Sequence, residues 1–562
     1  MTRFKLRAYG QARYLFWAMA LLVAIPAWAN KSGVAPSRLK LPQGPGSLEG
    51  LGENAEIRPN MGLMSYGINI EVPKGYNSNA PGLRLDYSSG NGNSVVGVGW
   101  AFTIPEISRM TSKGLPTYTL DDTFSGESGE LVYVGDFNGA RVYRARFEGG
   151  FIRYQWKNAG AGTGGYWIAE YPTGARAYFG ADANGKTDEL ARVVGSDGVF
   201  RYHLVEHHDA LGHKVVYGYH KSEGLSLLDT VHWGFENNTP HYEVAIEYEN
   251  RPDQTSQGQP GFLVKLAERI KTLRVRVDGQ KLRRYKLNYK NVGLVSELSE
   301  LSRLESVDRY GRDDITAYPI AFGFEYTKGY KPRMFDMILG ENVQFITNAN
   351  SEGELVDLNR DGLPDMLDTR EGNHRMLLNQ PKTQSRSAPE FLAGSSLESG
   401  GIVGAKPRLN SDNVYLVDIN GDGFTDMIDG NNEKVYWNTG DEQWEVADSL
   451  GQMNFPPFAT NKNLRFLDID GDKDIDALNL DPGAAWFHVN NGDGSFAQEV
   501  VNIEPLGVGF QDGIRLADMN GDGLQDLVQP TTAGVFLWLN LGHGRFEQQP
   551  EMTIRNLNSQ SI

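Results

Sequence analysis

The stretch Asp418-Ile419-Asn420-Gly421-Asp422-Gly423-Phe424-Thr425-Asp426 decides how the second half of this chain folds. It recurs as Asp357-Leu358-Asn359-Arg360-Asp361-Gly362-Leu363-Pro364-Asp365, Asp468-Ile469-Asp470-Gly471-Asp472-Lys473-Asp474-Ile475-Asp476 and Asp518-Met519-Asn520-Gly521-Asp522-Gly523-Leu524-Gln525-Asp526. The first aspartates are 61, 50 and 50 residues apart, which is the spacing of a repeat architecture. Calcium takes roughly six to eight oxygen ligands at about 2.3–2.6 Å. In such a loop the side chains at positions 1, 3 and 5 converge on one centre, and position 7 offers its backbone carbonyl. Glycine at position 6 allows a left-handed bend, and the aspartate at position 9 closes the sphere. The predicted ligands are therefore Asp357, Asn359, Asp361, Leu363 and Asp365; Asp418, Asn420, Asp422, Phe424 and Asp426; Asp468, Asp470, Asp472, Asp474 and Asp476; and Asp518, Asn520, Asp522, Leu524 and Asp526. Up to four calcium ions are expected, in a structural and not a catalytic role. The third loop departs from the pattern. Lys473 stands where glycine belongs, which strains the backbone and adds a positive charge, and Asp474 supplies an offsetting carboxylate. Its occupancy is the least secure of the four.

The flanks choose the fold. Short apolar runs precede the loops, as in Val414-Tyr415-Leu416-Val417 and Leu464-Arg465-Phe466-Leu467. Others follow them, as in Val435-Tyr436-Trp437-Asn438, Trp486-Phe487-His488-Val489-Asn490 and Leu537-Trp538-Leu539-Asn540. These read as strands. An EF-hand needs helices there and usually a glutamate at position 12, which here is Asp368, Asp429, Asn479 and Gln529. A glycine turn and an aromatic come next, clearest in Gly492-Asp493-Gly494-Ser495-Phe496 and Gly542-His543-Gly544-Arg545-Phe546. The region 335–562 resembles the FG-GAP repeats of integrin-type β-propellers, which implies small blades that bury their apolar faces against one another. Phe335, Phe391, Trp444 and Phe496 open successive units, 22, 27, 24 and 22 residues before each loop. By the same register Phe546 opens a fifth unit that reaches Ile562 without a loop. Either the tail closes a small ring, or the natural chain continues; the register favours continuation, so the propeller is expected to be incomplete.

The region 45–330 also reads as all-β. Met64, Tyr66, Ile68, Ile70 and Val72 alternate with small or polar residues, and Leu83, Leu85 and Tyr87 repeat that period. Its wording is specific: Pro45-Gly46-Ser47-Leu48-Glu49-Gly50-Leu51-Gly52-Glu53, then Gly97-Val98-Gly99-Trp100, Ile107-Ser108-Arg109 and Asp121-Asp122-Thr123-Phe124. In that order these resemble the N-terminal domain of the Salmonella virulence plasmid B protein family (SpvB), shared with the B component of insecticidal toxin complexes. The resemblance implies a share in a β-sheet shell around a toxic enzyme and a propeller that docks on a partner. His208 to Tyr219 and Asp308-Arg309-Tyr310-Gly311 look like wrapping repeats, each a polar glycine turn followed by alternating aromatics. Seven of the ten histidines lie between His203 and His241, without the spacing of a zinc site, and read as sheet positions.

Residues 1–29 carry Arg3, Lys5, Arg7 and Arg13, an apolar run from Tyr14 to Ile25, and Ala27-Trp28-Ala29, the pattern of a cleaved export signal. Residues 30–44 read as a linker. The product is expected to be exported, to the extracellular space or the cell surface, without stable membrane insertion. The chain has no cysteine, which excludes disulfides, thiolate metal sites and cysteine nucleophiles. Its net charge of −17 argues against a nucleic-acid partner. That acidity is local: from Ser351 to Ile562 there are 34 acidic and 14 basic side chains, and before Ser351 there are 37 and 40. Nucleophile elbows, P-loops and dinucleotide fingerprints are not found. The SpvB resemblance implies an ADP-ribosyltransferase with a Glu-x-Glu pair in a separate C-terminal domain. Glu247/Glu249 and Glu352/Glu354 fit that tripeptide, but neither lies in a C-terminal domain of suitable size. The expected function is a calcium-stabilised, non-catalytic scaffold with protein partners, toxin-complex subunits or a wrapping-repeat shell component. Two alternatives stay open: a surface adhesion or glycan-binding protein, and a toxin of unrecognised activity.

Overall fold

The computed structural model describes residues 56–58, 61–158, 164–290, 301–318, 322–324 and, with internal gaps, 338–549. The expected export signal and linker, the run Pro45–Glu53 and Phe335 lie outside the described residues. Apart from short 3-10 turns, the described secondary structure is strand, so the chain is all-β. Contacts separate a small unit, Met1–Ile68 with Asp86–Ser89, from a large one that holds the rest. In the small unit Glu56–Arg58 runs antiparallel to the next strand, Ile57 opposite Met64.

The large unit begins with a meander of Glu106–Arg109, Phe124–Gly126, Gly129–Phe137, Ala140–Ala145, Arg153–Lys157, Tyr166–Glu170 and Arg176–Phe179. The strand Val199–His208 closes it. Its first half pairs with Glu106–Arg109, Tyr202 opposite Ile107, and its second half pairs with Arg176–Phe179, Ala177 opposite His207. The result is a barrel with no free edge along the meander. Its interior is aromatic: Trp167 meets Phe124 and Tyr143 edge-on, at 4.9 and 5.0 Å. The quoted words Ile107-Ser108-Arg109 and Asp121-Asp122-Thr123-Phe124 meet here as a buried ion pair. Arg109 binds Asp122, the two side chains being 6% and 8% exposed. The same guanidinium reaches the carbonyls of Thr119 and Val199.

From Val199–His208 the sheet continues through Lys214–Ser222, Leu225–Glu236, Thr239–Gln257, Val264–Val277, Gln280–Tyr289 and Leu304–Tyr310. The first of these hairpins is the His208–Tyr219 segment singled out in the sequence. Asp209 Oδ1 accepts the N–H groups of Leu211 and His213, both at 2.9 Å, and Gly212 takes φ +86° to turn the chain. Four of the seven histidines of this region bind separate carboxylates at 3.1 Å or less. His208 meets Glu206, His213 meets Asp209, His220 meets Glu268, and His241 meets Asp278 and Glu236. His203 is buried and stacks on Tyr219. Among the described residues they form no metal-holding group.

Four blades with antiparallel cores follow, the first two carrying an added parallel edge strand, Ile338–Leu339 and Glu398–Ser399. Each contains the strand before an acidic loop and three strands after it; the second, for example, is Val414–Val417, Asp426–Asp429, Lys434–Asn438 and Gln443–Ala447. The cores lie between blades, as the repeat reading requires. Leu367 and Met376 of the first meet Met427 and Trp444 of the second. Ile428 and Val435 of the second meet Leu464 and Phe496 of the third, and Leu478 and Phe487 of the third meet Leu527 and Trp538 of the fourth. One expectation is corrected. Phe391, Trp444, Phe496 and Phe546 stand in the last strand of a blade, so Phe546 completes the fourth blade and does not open a fifth unit. Periodicity gives the length of a repeat but not its phase, which is set by the strands that hydrogen-bond.

Candidate metal centre

The four acidic loops have one backbone design. The N–H at position 6 donates to Oδ2 of position 1: Gly362 to Asp357 at 2.8 Å, Gly423 to Asp418 at 2.9 Å, Lys473 to Asp468 at 3.0 Å and Gly523 to Asp518 at 2.9 Å. The N–H at position 7 donates to Oδ1 of position 5, from Leu363 to Asp361, Phe424 to Asp422, Asp474 to Asp472 and Leu524 to Asp522. The N–H at position 5 donates to position 3, at Asn359, Asn420, Asp470 and Asn520. Successive side-chain turns of this kind hold positions 1, 3 and 5 on the inside of the bend.

Position 6 is left-handed in every loop: φ is +83° at Gly362, +88° at Gly423, +82° at Lys473 and +89° at Gly523. A lysine in that region crowds its Cβ against the backbone, at about 1–2 kcal/mol. Lys473→Gly is therefore expected to stabilise the protein by about 1 kcal/mol, after the greater freedom of glycine in the unfolded chain is subtracted. A urea midpoint that does not rise would show that the third loop has relaxed around the lysine.

The aspartate at position 9 does more than the sequence indicated. Asp365, Asp426, Asp476 and Asp526 are all 0% exposed. One oxygen accepts the N–H of position 2 in the same loop, from Leu358, Ile419, Ile469 and Met519 at 2.8–3.2 Å. The other accepts the N–H of an asparagine in the next strand: Asn379, Asn438, Asn490 and Asn540, at 2.8–2.9 Å. Position 9 is thus a buried staple across the blade, whatever it also gives a cation. Burial raises these carboxyls, with smaller contributions from neighbouring loop acids, to about 7 at Asp426 and about 8 at Asp476.

The asparagines are residues that sequence reading passed over. Besides the staple, three of the four side chains reach back to the preceding blade, while Asn379 of the first blade donates to Pro364 O of its own blade. Asn438 donates to Leu358 O at 2.9 Å, Asn490 to Ile419 O at 2.8 Å and Asn540 to Ile469 O at 3.2 Å. Their recurrence 12 to 14 residues after position 9 was the available signal.

The loops fit a hard divalent cation. Asp418 Oδ1 is buried with no hydrogen-bond partner. In the third loop the carboxylate oxygens of Asp468, Asp470 and Asp476 lie within 4.8 Å of one another. Burial and then the charge of Asp472 push Asp470 up to about 6. Calcium in such a loop would be held by positions 1, 3, 5 and 9 and would supply charge neutralisation. Asp474 does not join that group; its carboxylate lies against Gly492 of the same blade and faces Gly421 of the second loop. Leu363, Phe424 and Leu524 at position 7 donate their N–H groups to position 5, and Leu524 is also buried.

Three of the four Glu-x-Glu carboxylates are held in ion pairs. Glu247 binds Arg274 and Glu249 binds Arg269, while Glu352 binds Arg408. A cavity of ≈ 320 Å³ lies between the sheet and the segment around Ser94, next to His203 and Glu106. Four of its hydroxyls are already committed: Ser94 donates to Trp100 O, Tyr219 to Leu204 O, Tyr248 to Leu228 O and Ser226 to Arg192 O.

Comparison with known proteins finds both sequence resemblances. Residues 58–261 match the family described as Salmonella virulence plasmid 65kDa B protein, and residues 468–529 match the FG-GAP-like repeat. The mono(ADP-ribosyl)transferase SpvB of Salmonella typhimurium is 44% identical over 63 residues, covering 11% of this chain and 10% of that protein. A chain of the Photorhabdus luminescens Tc holotoxin pore is similar over 94% of this chain, with a TM-score of 0.71 and 20% identity. The TcdB2-TccC3 crystal structure is similar over 93%, with a TM-score of 0.54 and 18% identity. This chain spans 28% and 31% of those two chains. At such identities the likeness is one of fold.

Proposed function

We propose that this chain is an exported, non-catalytic scaffold of the toxin-complex B type, with a repeat module stabilised by up to four calcium ions. The supporting observation is a match that runs through both modules, over 94% of the chain, to a holotoxin chain. A propeller-based adhesin would share only the repeats. The solved structures similar through both modules are multi-component Tc assemblies, which favours a protein partner, a wrapping-repeat shell component. The activity named for the Salmonella relative is not carried over, because the match covers 10% of that protein. Among the described residues no helix is long and apolar enough to cross a membrane.

Mixing the purified chain with the wrapping-repeat component of a toxin complex should give one co-eluting species on size exclusion. Separate elution of the two at micromolar concentration would count against the scaffold reading. Calcium is tested on its own. Titration of the chelator-stripped full chain should find up to four sites with dissociation constants of about 10⁻⁴–10⁻³ M. At tenfold excess over that constant each site adds about 1.4 kcal/mol of stability. No heat and no change of melting temperature at 10 mM calcium (an about tenfold excess even over the weakest such site) would overturn the calcium reading.

A further inference from the structure

We infer that the fourth acidic loop is a cation-dependent latch that fastens the repeat module to the barrel-bearing sheet; this rests on the calcium reading above. The four loops share a backbone but not an environment. At position 5, Asp361 and Asp422 are exposed and Asp472 is half-buried, whereas Asp522 is only 5% exposed. The first module covers it. Gly258 N–H donates to Asp522 Oδ2 at 2.6 Å, and Gln259 Nε2 donates to Asp522 O. One carboxylate is therefore both a candidate cation ligand and the acceptor that receives the other module.

The surrounding contacts are built for this seat. Leu115 lies so close to the outer turn of the fourth blade that a Cβ on Gly542 would meet its Cδ1 at 1.7 Å, and it also touches Gly471 of the third loop. A Cβ on Gly258 would meet Asn540 O at 2.1 Å, so that approach too requires glycine. Arg545 pairs with Asp197 at 2.7 Å. Leu263 packs on Val528, Val535, Leu537 and Leu539, the face of the fourth blade turned away from the third. Earlier blades cover that face with the next blade; here the first module caps the array, as terminal units of repeat proteins must.

The coupling follows from electrostatics. Without a cation, Asp518, Asp522 and Asp526 repel one another and favour an open loop, which displaces the acceptor of Gly258 N–H. A cation that binds the closed loop fixes that acceptor, and docking in turn closes the loop. By linkage, each event strengthens the other by the same factor, typically about 5- to 150-fold.

The absence of cysteine makes the test clean. Asn184→Cys and Glu433→Cys, both at exposed positions, take spin labels on the two modules of the full chain. With calcium the interlabel distance distribution should be narrow, and chelator should broaden it. Asp522→Asn keeps an acceptor for Gly258 but weakens the cation site; it should lose one calcium by calorimetry and stay broad in calcium. Asp422→Asn should also lose one calcium but stay narrow. In Gln259→Ala, which leaves the loop untouched, one calcium should bind at least about fivefold more weakly. If Asp522→Asn loses its calcium and stays narrow, the latch is overturned while the calcium reading stands. If Gln259→Ala leaves every site at its original affinity, the latch is likewise overturned. If the unmutated chain binds no calcium, the calcium reading itself has failed and the latch with it.

Discussion

Arg109→Ala should cost about 3–5 kcal/mol, enough to unfold the barrel under mild denaturant. The mutation leaves the Asp122 carboxyl without its ion-pair partner in a site where its side chain is 8% exposed. Asp122 would keep the N–H groups of Thr117 and Tyr118 and the hydroxyl of Thr117, but lose its only charged partner among the described contacts. The guanidinium also lies over the rings of Phe124, at 4.8 Å, and Tyr118, at 5.1 Å, so its removal opens the aromatic core as well. The carbonyls of Thr119 and Val199 lose a donor at the same time. Breaking a buried pair is worse than removing it whole, so Arg109→Met with Asp122→Leu should be less destabilised than the single mutant. Urea unfolding followed by near-ultraviolet dichroism measures both. A loss under about 1 kcal/mol for Arg109→Ala would mean that the closing strand, and not this pair, holds the barrel.

The second large effect is expected at position 9 of the repeats. Asp476→Ala leaves two buried N–H groups without acceptors, those of Ile469 and Asn490, now bonded at 3.0 and 2.9 Å. Each orphaned group costs about 1–3 kcal/mol, so a loss of roughly 2–6 kcal/mol is expected even in chelator. The damage should spread, because Asn490 also carries the bond to Ile419 O of the preceding blade. Asp422→Ala, at exposed position 5, offers the contrast. It should matter little in chelator and should remove one site's share of the calcium-dependent stability. Melting curves of both variants with and without calcium separate staple from ligand. Equal losses in chelator would show that position 9 has no structural role beyond that of position 5.

Much of this protein was legible from local sequence. Alternating apolar residues gave the strands, and four matched acidic nonamers gave the blades. The displaced glycine at Lys473 announced a left-handed lysine. Such features depend on residues a few positions apart, where backbone sterics and short-range hydrogen bonds suffice. The candidate ligands at positions 1, 3 and 5 belong to this class. The phase of the blades does not, because Phe546 could begin a unit or end one until its strand had a partner. Nor do the asparagine ties between blades, which join residues 71 apart at Asn490 and Ile419. The seating of the first module on the fourth loop joins Gly258 to Asp522 across 264 residues. Chain distance fixes no geometry at that range, and only the packed blades and closed barrel bring the donor to its acceptor.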